Sequence, residues 1–352
     1  MKKVTLQMIA DKVGVSKALV SKALSHDPAV KDETKNDIWR TAEELGYPVH
    51  LRNNKRDKPR VKTGYIAVIM PRAYLNDFEY WGRIMRGIEQ AISEKGYTMI
   101  LAGIDLASVS DTLPAAIKVD KIDGALVLGH IAESAIEELE SRNIPFAMID
   151  TSLLSPDLDH ILSNNYLGAY DAVGRILKVG HRQIGFVGDV DSAWSFTERA
   201  RGCVDAVKMF NAASPNTKAT IEWISGVGAS GTGNYIKPEF GEQLIQAIHS
   251  KSPVTAFFCA NDMFAFDTIN RLAEEGMSSP EDYSIVGFDD LSLAGMMHPK
   301  LTTVRVAKES IGYRAVEILL RRIAQPDSQS EVVMVGTKFV ERDTLRSADD
   351  EG

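Results

Sequence analysis

The strongest constraint on the fold is an alternation of β-rich apolar runs and helical stretches that begins at residue 63 and continues over most of the chain. Strand-like runs lie at 64–70, 98–103, 125–128 and 145–150, and a second set lies at 183–188, 221–224, 255–259 and 284–288. Helical stretches lie around 80–95, 111–119, 133–142, 165–179, 197–211, 241–250 and 263–275. Such alternation is typical of parallel sheets covered on both faces. Two runs of it predict an α/β protein with two doubly wound lobes.

The charge is distributed unevenly between a short N-terminal segment and the rest of the chain. Residues 1–62 contain 14 Lys and Arg against 8 Asp and Glu, a net charge of +6, whereas the whole chain of 352 residues carries −8. A basic segment joined to an acidic body is typical of nucleic-acid-binding proteins. Basic residues can also serve only the solubility of a small terminal domain. The residue pattern of the segment has to distinguish these readings.

Composition narrows the class of protein further. Hydrophobic residues make up 44% and charged residues 25%, which is ordinary for globular proteins and excludes disordered or fibrous chains. The two cysteines, Cys203 and Cys259, are too few for a disulfide framework or a Cys-based zinc site. Polar residues interrupt the N-terminal segment, so no secretory signal is expected, and no run approaches the ~20 apolar residues of a membrane span. The sequence predicts a cytoplasmic protein that does not contact membranes.

The first 46 residues predict three short helices. Thr5 is placed to cap the first helix and Ser16 to cap the second, at 17–24, with Gly14 in the turn between them. A third helix is expected from about residue 32 to residue 45. Two short helices around a tight turn, braced by a third, form the helix-turn-helix arrangement. We therefore expect an all-α head over residues 1–46.

The second helix carries the predicted base contacts. A helix fits the major groove of DNA, where its N-terminal residues reach base edges. Lys17 is placed to donate to guanine, and the methyl group of Ala18 is placed to contact a thymine methyl. The residues predicted to contact phosphates are Thr5, Leu6, Ser16, Ser21, Lys22 and Ser25. Small helical hairpins also mediate protein contacts, so the spacing favours DNA binding without excluding that alternative.

The motif V-T-L-x-x-I-A-x-x-x-G-V-S-x-x-x-V-S-K-x-L-S, which runs from Val4 to Ser25, closely resembles the head of the LacI/GalR family of transcription regulators. The match continues through Val30, Thr34 and residues 42–47. The resemblance implies that the positions of Lys17 and Ala18 read bases. It also implies a repressor that binds double-stranded operator DNA as a symmetric homodimer, with one head on each half-site.

The linker, residues 47–62, departs from the pattern of that family. It is basic, with little apolar content, which is typical of a flexible or conditionally folded connector. Family members usually carry a hinge helix here, with a leucine wedged into the minor groove. This chain has Arg56 at the wedge position, and a charged side chain cannot unstack bases as an apolar wedge does, although it can enter a narrow minor groove. Leu51 is a possible substitute, and formation of a hinge helix is left open.

Polar side chains follow several predicted strands, and ligands of parallel sheets bind outside the carboxyl ends of the strands. These side chains are Asp150, Asn261, Asp262, Asp289 and Asp290, together with Arg199 in the helix after the strand that ends near Asp189. Aromatic residues near the same ends are Tyr80, Trp81, Trp194, Phe196 and Tyr235. Carboxylates, an amide, an arginine and an aromatic face are suited to a polyhydroxylated ring. A strand-end Asp is also a common helix cap, which is the role expected of Asp262, and Trp223 is expected in the core.

Four further segments, at 180–188, 257–262, 284–290 and 299–304, look like the effector domains of LacI-type regulators, which are similar to type I periplasmic sugar-binding proteins. The resemblance implies that Asp150, Arg199, Asn261 and Asp289 contact the effector and that Tyr235 stacks on it. Tyr80 and Trp81 are carried over to the same cleft. The predicted domain spans 63–346, with an N-lobe at 63–163 and 292–322, a C-lobe at 164–291 and 323–346, and a tail at 347–352.

The sequence provides little support for catalysis. The glycine-rich segment 225–234 does not follow a strand–turn–helix pattern for dinucleotides, lacks a Walker-type GK[ST], and is interpreted as a mobile loop at the cleft edge. The seven histidines lie in separate segments, so neither a metal site nor a cofactor is expected. The favoured reading is a non-enzymatic regulator that responds to a sugar or sugar derivative. A nucleobase or other metabolite as effector, and a sugar-binding protein without a regulatory role, remain alternatives.

Overall fold

The computed structural model describes residues 5–24, 30–45, 47, 62–105, 113, 117, 121–151, 155–230 and 233–348. The chain forms two compact units, residues 1–62 and residues 63–352. The first unit contains three helices: α1 (Leu6–Val13), α2 (Lys17–Leu24) and α3 (Asp32–Glu44). The predicted contacts Ser25, Leu51 and Arg56 lie outside the described residues, as does most of the helix expected at 111–119.

The second unit alternates strands and helices. Its helices are α4 (Trp81–Glu94), α5 (Glu133–Ser141), α6 (Asn165–Lys178), α7 (Trp194–Ala213), α8 (Glu239–Ile248), α9 (Asp262–Glu274) and α10 (Lys308–Ala324). Its first strands are β1 (Tyr65–Pro71), β2 (Thr98–Ile104), β3 (Gly124–Leu128), β4 (Phe146–Ile149), β5 (Asp159–Ser163), β6 (Gln183–Val187) and β7 (Thr220–Ile224). The remaining strands are β8 (Val227–Ser230), β9 (Gly233–Ile236), β10 (Ala256–Cys259), β11 (Ser284–Asp289), β12 (Thr302–Val306), β13 (Val332–Val335) and β14 (Thr337–Val340).

The N-lobe is built on a parallel sheet with the strand order β13-β5-β4-β3-β1-β2. Side chains of a strand point alternately to opposite faces, and β1 shows this directly. Ile66 and Val68 belong to the core cluster that includes helix α4, whereas Ala67 and Ile69 belong to a second cluster that includes helix α5. Both faces of the sheet are therefore covered, which explains the continuous apolar run of β1.

The C-lobe is built on a second sheet with the strand order β14-β12-β11-β10-β6-β7. Its pairings are parallel except for β12 with β14, which is antiparallel. Phe186, Phe258 and Phe288 contribute to its core, where neighbouring rings meet edge-on. The two parallel-sheet lobes, which follow the helical head in the sequence, confirm the predicted fold class.

Two segments belong to the opposite lobe from the one predicted. β12 lies in the C-lobe sheet although residues 292–322 were assigned to the N-lobe, and β13 lies in the N-lobe sheet although residues 323–346 were assigned to the C-lobe. The chain crosses between the lobes at 163–165, at 306–308 and at 335–337. Each crossing joins two elements directly, so no linker composition marks it in the sequence.

Helices α4 and α10 of the N-lobe pack unusually closely. A Cβ atom at Gly87 would lie 2.0 Å from the carbonyl oxygen of Glu309, and one at Gly312 would lie 2.1 Å from that of Ile84. A larger side chain at either glycine would force the two backbones apart. The start of α10 is therefore tied to α4, which itself begins beside the cleft.

Other local expectations need correction. The segment 225–234, expected as a mobile loop, contains β8 and the start of β9, which pair antiparallel with Val227 opposite Ile236 and Ser230 opposite Gly233. Trp223 is 45% exposed rather than a core residue, because β7 is an edge strand of its sheet. Within the described part of the chain, no helix is long and apolar enough to cross a membrane.

Candidate functional site

The head encloses a small core made by all three of its helices. Ile9, Val20 and Ile38 are fully buried in it, one from each helix. Gly14 turns the chain between α1 and α2 with φ = 77°, a left-handed conformation that glycine adopts without steric cost. Its N–H donates to the carbonyl of Ala10 at 2.9 Å, which ends the first helix.

The predicted DNA contacts occupy the ends of the first two helices. Thr5 caps α1 by accepting from the Met8 N–H at 3.4 Å, and the Ser16 hydroxyl accepts from the Leu19 N–H at 3.1 Å at the start of α2. The side chains of Lys17, Ala18 and Lys22 are exposed, whereas Leu6 and Ser21 are half-buried. The start of α2 thus presents a lysine and a methyl group to solvent. This surface suits the base contacts predicted for it.

In the second unit, the N-lobe side of the cleft holds a tyrosine–carboxylate pair. The Tyr80 hydroxyl donates to Asp150 Oδ2 at 2.5 Å. Asp150 follows β4 with φ = 47°, a left-handed conformation that Asp tolerates better than most residues. Trp81 is 8% exposed: its ring stacks on Tyr74 at 4.7 Å and meets Tyr80 edge-on at 5.2 Å. Trp81 therefore supports Tyr80, with one of its own faces covered.

The C-lobe side of the cleft is organised around a buried arginine. Arg199 donates from Nη2 to Asp289 Oδ1 at 3.1 Å and from Nε to Asn165 Oδ1 at 3.0 Å, and its Nη1 donates to the carbonyl of Ala260. Its guanidinium lies 3.8 Å from the ring centroid of Phe288. These contacts satisfy a charge that is only 2% exposed, as a buried charge requires.

The two sides act on each other electrostatically. Burial raises the pKa of Asp150, while the Tyr80 hydroxyl and the Arg199 charge lower it. Burial also raises the pKa of Asp289, which Arg199 and Lys308 oppose. The pKa of Tyr80 is well above its usual range because of burial and the charges of Asp150 and Asp289. Residues from both lobes therefore lie close enough together to shift one another's pKa values.

Asn261 and Asp262, which follow strand β10, have different roles. Asn261 caps helix α9, where its Oδ1 accepts from the Phe264 N–H at 2.9 Å. The prediction that Asp262 is the cap is wrong. Asp262 is fully buried and accepts from the Leu291 N–H at 2.7 Å and from the Thr303 hydroxyl at 2.5 Å, so it joins the ends of neighbouring strands.

Tyr235 belongs to a different cluster. Its hydroxyl donates to Asp189 Oδ2 at 2.6 Å, and Asp189 also accepts from the Gly226 N–H at 2.8 Å and from Lys237 at 3.4 Å. Burial opposes ionisation of Asp189, yet these hydrogen bonds and the Lys237 charge hold its pKa below the usual value. Among the described residues, no hydrogen bond connects Tyr235 to the Arg199 site. Its stacking role stays a prediction.

The lobes also touch at the rim of the cleft. Glu79 Oε2 accepts from the Ser292 N–H at 2.9 Å, which joins the loop before α4 to the loop after β11. A surface cavity of about 480 Å³ lies beside this contact and is lined by Phe78, Glu79, Gly82, Arg83, Arg86 and Ser292. The cavity adjoins the site but does not include its charged cluster.

Sequence reasoning missed two buried polar residues that support the site from behind, Asn165 bonded to Arg199 and Lys308 bonded to Asp289. Lys308 is fully buried, and its Nζ donates to the carbonyl of Asp289 and lies 5.8 Å from the ring centroid of Tyr80. A signal was available for it, because a lysine in the first turn of a helix opposes the helix dipole and indicates a local partner. Asn165 gave a weaker signal, since the adjacent Asn164 already caps α6.

A helix-turn-helix head and a two-lobed domain with a charged site between the lobes define a ligand-responsive DNA-binding regulator. Residues 5–48 match the bacterial regulatory proteins of the lacI family, and residues 173–345 match the periplasmic binding protein-like domain. The chain therefore combines a LacI-family head with a periplasmic-binding-protein-like domain and is a DNA-binding transcriptional regulator. The resemblance inferred from the motif at Val4–Ser25 is confirmed.

The similarity extends over nearly the whole chain. The "probable HTH-type transcriptional repressor ExuR" of Bacillus subtilis is 26% identical over 346 residues, which cover 97% of this chain and 98% of that protein. A complex of the transcriptional regulator CelR with cellobiose has a TM-score of 0.65 at 21% identity, covering 97% of this chain and 99% of CelR. The Lac repressor dimer bound to operator and the anti-inducer ONPF has a TM-score of 0.63 at 21% identity, covering 98% of this chain and 100% of the repressor chain. The two structures show that the fold is shared.

Proposed function

We propose that this regulator is a repressor whose operator affinity is controlled by a sugar or sugar derivative bound at Tyr80, Asp150, Arg199 and Asp289. The observation that carries the proposal is the shared charged site between two lobes in a chain that also has a DNA-binding head. The regulator CelR binds cellobiose on the same fold, which supports a carbohydrate as the class of effector.

The hydrogen-bonding capacity of the site fits hydroxyl donors. Among the described residues, the Asp150 carboxylate has one hydrogen-bond partner, Tyr80, and the Asp289 carboxylate has one, Arg199. Each carboxylate retains an oxygen that can accept a hydrogen bond from a ligand. Vicinal hydroxyl groups of a sugar supply such donors. Asn261 has its amide nitrogen available for a further polar contact, because its Oδ1 serves the helix cap.

Control of DNA binding follows from differential affinity. A ligand that contacts residues of both lobes favours the relative lobe orientation that suits it best. If that orientation determines how the two heads of a homodimer are spaced, the ligand changes operator affinity by the ratio of its affinities for the two states. A homodimer is proposed because one head offers few base contacts, and the Lac repressor binds its operator as a dimer.

Binding without turnover is part of the proposal. The family is one of regulators, and both cysteines are buried, with burial raising the pKa of the Cys203 thiol to about 12. A buried thiol of this kind is a poor nucleophile. We therefore expect any bound sugar to be released unchanged.

The proposal is tested by thermal-shift measurements on the full chain with ribose, glucose, galactose, cellobiose, sugar phosphates, adenine and hypoxanthine. A ligand at a hundred times its Kd adds about 2.7 kcal/mol of stability, so binding is readily detected. We expect a sugar to stabilise the wild type and the surface variant Asp327→Asn but not Asp289→Asn. Stabilisation by a nucleobase alone would replace the sugar with that class of effector. Stabilisation by a sugar that persists in Asp289→Asn would contradict the assigned site.

A further inference from the structure

The connection between the site and the lobe crossings suggests how ligand binding changes lobe orientation. Asn165 and Lys308 are each the first residue of a helix that follows a crossing, α6 in the C-lobe and α10 in the N-lobe. Both are buried, at 2% and 0% exposure. A fully buried lysine is rare, and burying its charge is energetically costly unless the ammonium group is hydrogen-bonded. The ammonium group of Lys308 therefore needs hydrogen-bond partners.

Lys308 contacts predicted effector residues from both lobes. Its ammonium group donates to the backbone carbonyl of Asp289 in the C-lobe. It also lies 5.8 Å from the ring centroid of Tyr80 in the N-lobe, within the range of a cation–π interaction. Burial lowers the pKa of Lys308, and the charge of Asp289 opposes this effect. Movement of Asp289 relative to Tyr80 therefore has to break or re-form contacts of Lys308.

The backbone at Asp289 is suited to a change of conformation. Asp289 has φ = 109°, in the left-handed region that disfavours residues with a side chain. Its carbonyl is bonded to Lys308 and its carboxylate to Arg199, which in turn bonds Asn165 at 3.0 Å. A continuous chain of hydrogen bonds thus runs from the start of α10 through Asp289 and Arg199 to the start of α6.

The two helices at the ends of this chain are well placed to move their lobes. Helix α10 packs backbone to backbone against α4 through Gly87 and Gly312, so the N-lobe follows it. Helix α6 is held against α7 in the same way, because a Cβ atom at Gly202 would lie 2.3 Å from the carbonyl oxygen of Tyr166. A displacement at either end is passed to a whole lobe rather than absorbed locally.

Resting on the proposed function above, we propose that Lys308 is a positioning residue that couples the effector site to the lobe crossing at 306–308. Ligand contact with Asp289 changes the bond to Lys308 and so changes the orientation of α10. Removal of the ammonium group uncouples ligand binding from the change in DNA affinity. Ligand and DNA are then still bound, but the ligand no longer alters DNA affinity.

The first experiment needs no ligand. Amide hydrogen exchange is compared in the full-length wild type, Lys308→Met and the exposed control Lys300→Met. We expect Lys308→Met to speed exchange about tenfold at residues 289–291 and 308–311, because an anchoring charged hydrogen bond is lost, while Lys300→Met leaves these segments unchanged. Wild-type exchange in Lys308→Met would overturn the proposal.

The second experiment measures coupling. Operator duplexes are selected from a random pool with the wild type, and their Kd is measured with and without whichever compound of the thermal-shift panel binds. We expect the compound to change the operator Kd about tenfold in the wild type and less than about twofold in Lys308→Met. The Kd of the compound for the protein should change less than this coupling does. An undiminished effect would overturn the proposal. A merely structural role would lower thermal stability and leave this ratio intact.

Failure of Lys308→Met to fold and failure of the proposed function give different results. If Lys308→Met does not fold, Asn165→Ala breaks the same chain at its other end, and the same loss of coupling is expected, with full coupling as the contrary result. If the wild type itself responds to no compound, the proposed function fails. The exchange measurement still decides whether Lys308 anchors Asp289.

Discussion

Arg199 and Asp289 form an ion pair at 3.1 Å in which the side chains are only 3% and 11% exposed. Arg199 lies in helix α7 and Asp289 is the last residue of strand β11. The pair therefore joins two residues that are 90 positions apart in the sequence. A buried charge without its partner is strongly destabilising, whereas the intact pair is close to neutral in energy. The pair therefore fixes the geometry of the site more than it stabilises the fold.

The first prediction concerns the loss of one partner. Arg199→Met should lower the free energy of unfolding by about 3–5 kcal/mol, because Asp289 and the carbonyl of Ala260 then lack a donor in a buried setting. Urea denaturation of the full chain measures this. The nearby Arg201→Met, whose side chain is 62% exposed, should cost less than about 1 kcal/mol. Equal effects of the two variants would contradict the account.

The second prediction concerns the tyrosine of the N-lobe. Tyr80→Phe removes the donor to Asp150 and should cost about 1 kcal/mol of stability, while it weakens or abolishes the thermal shift caused by the effector. Tyr313→Phe is a matched control, since its hydroxyl donates to Glu94 at 2.7 Å at the other end of α4. Thermal-shift titration of both variants distinguishes them. An unchanged effector response in Tyr80→Phe would exclude Tyr80 from the site.

The third prediction concerns pH. Burial and the charge of Asp289 raise the pKa of Asp262 from 3.8 to about 8, so the folded chain holds this proton more tightly than the unfolded chain. The contribution of Asp262 to stability is present in full below about pH 4 and is lost as the pH rises towards about 8. Each unit of difference in pKa corresponds to about 1.4 kcal/mol.

Asp262→Asn tests this directly, because asparagine imitates the protonated form and can still pair with the Leu291 N–H and the Thr303 hydroxyl. The stability of the wild type relative to Asp262→Asn should fall between pH 5 and pH 8, as the pH rises towards the raised pKa. Chemical denaturation at several pH values provides the measurement, and the exposed Asp327→Asn serves as control. Parallel pH profiles for wild type and Asp262→Asn would show that Asp262 does not titrate in this range.

The fourth prediction concerns the head. Lys22→Ala should weaken DNA binding similarly for all sequences and reduce the slope of log K against log salt by about 1, because a phosphate contact is lost. Lys17→Ala should instead cost about 1–3 kcal/mol at one base pair and relax specificity there. Salt titrations with operator and scrambled duplexes separate the two. Identical behaviour of the variants would contradict the division into base and phosphate contacts.

Much of the fold was predictable because local patterns agree with it. The apolar run of β1 and the caps at Thr5 and Ser16 each identify their element without reference to distant residues. Strand β5 was missed because it begins with Asp159 and His160, which are polar yet buried. Asp159 is satisfied by Arg321 and Arg322 at 2.8 and 2.7 Å, partners that are far away in sequence and therefore invisible to a local reading.

The site followed the same rule. Asp150 and Asp289 were predictable as candidates because each lies at the end of a parallel strand, and ligands bind outside the carboxyl ends of such strands. The role of Lys308 depends on the crossing at 306–308, and that crossing exists only once β12 and α10 are assigned to different lobes. Tyr235 lies on strand β9 and donates to Asp189, a tertiary hydrogen bond that no spacing rule indicates.

Measurements of operator affinity show whether a ligand bound between the lobes changes DNA binding by the head. Fluorescence anisotropy would measure the Kd of the full chain for its selected operator with and without the stabilising sugar, in wild type, Asp289→Asn and Asp327→Asn. We expect the sugar to change the operator Kd about tenfold in wild type and Asp327→Asn and not at all in Asp289→Asn, with similar operator affinities of all three proteins in the absence of the sugar. An operator Kd of the wild type that does not change with the sugar, or one that still changes in Asp289→Asn, would contradict control by a ligand at this site.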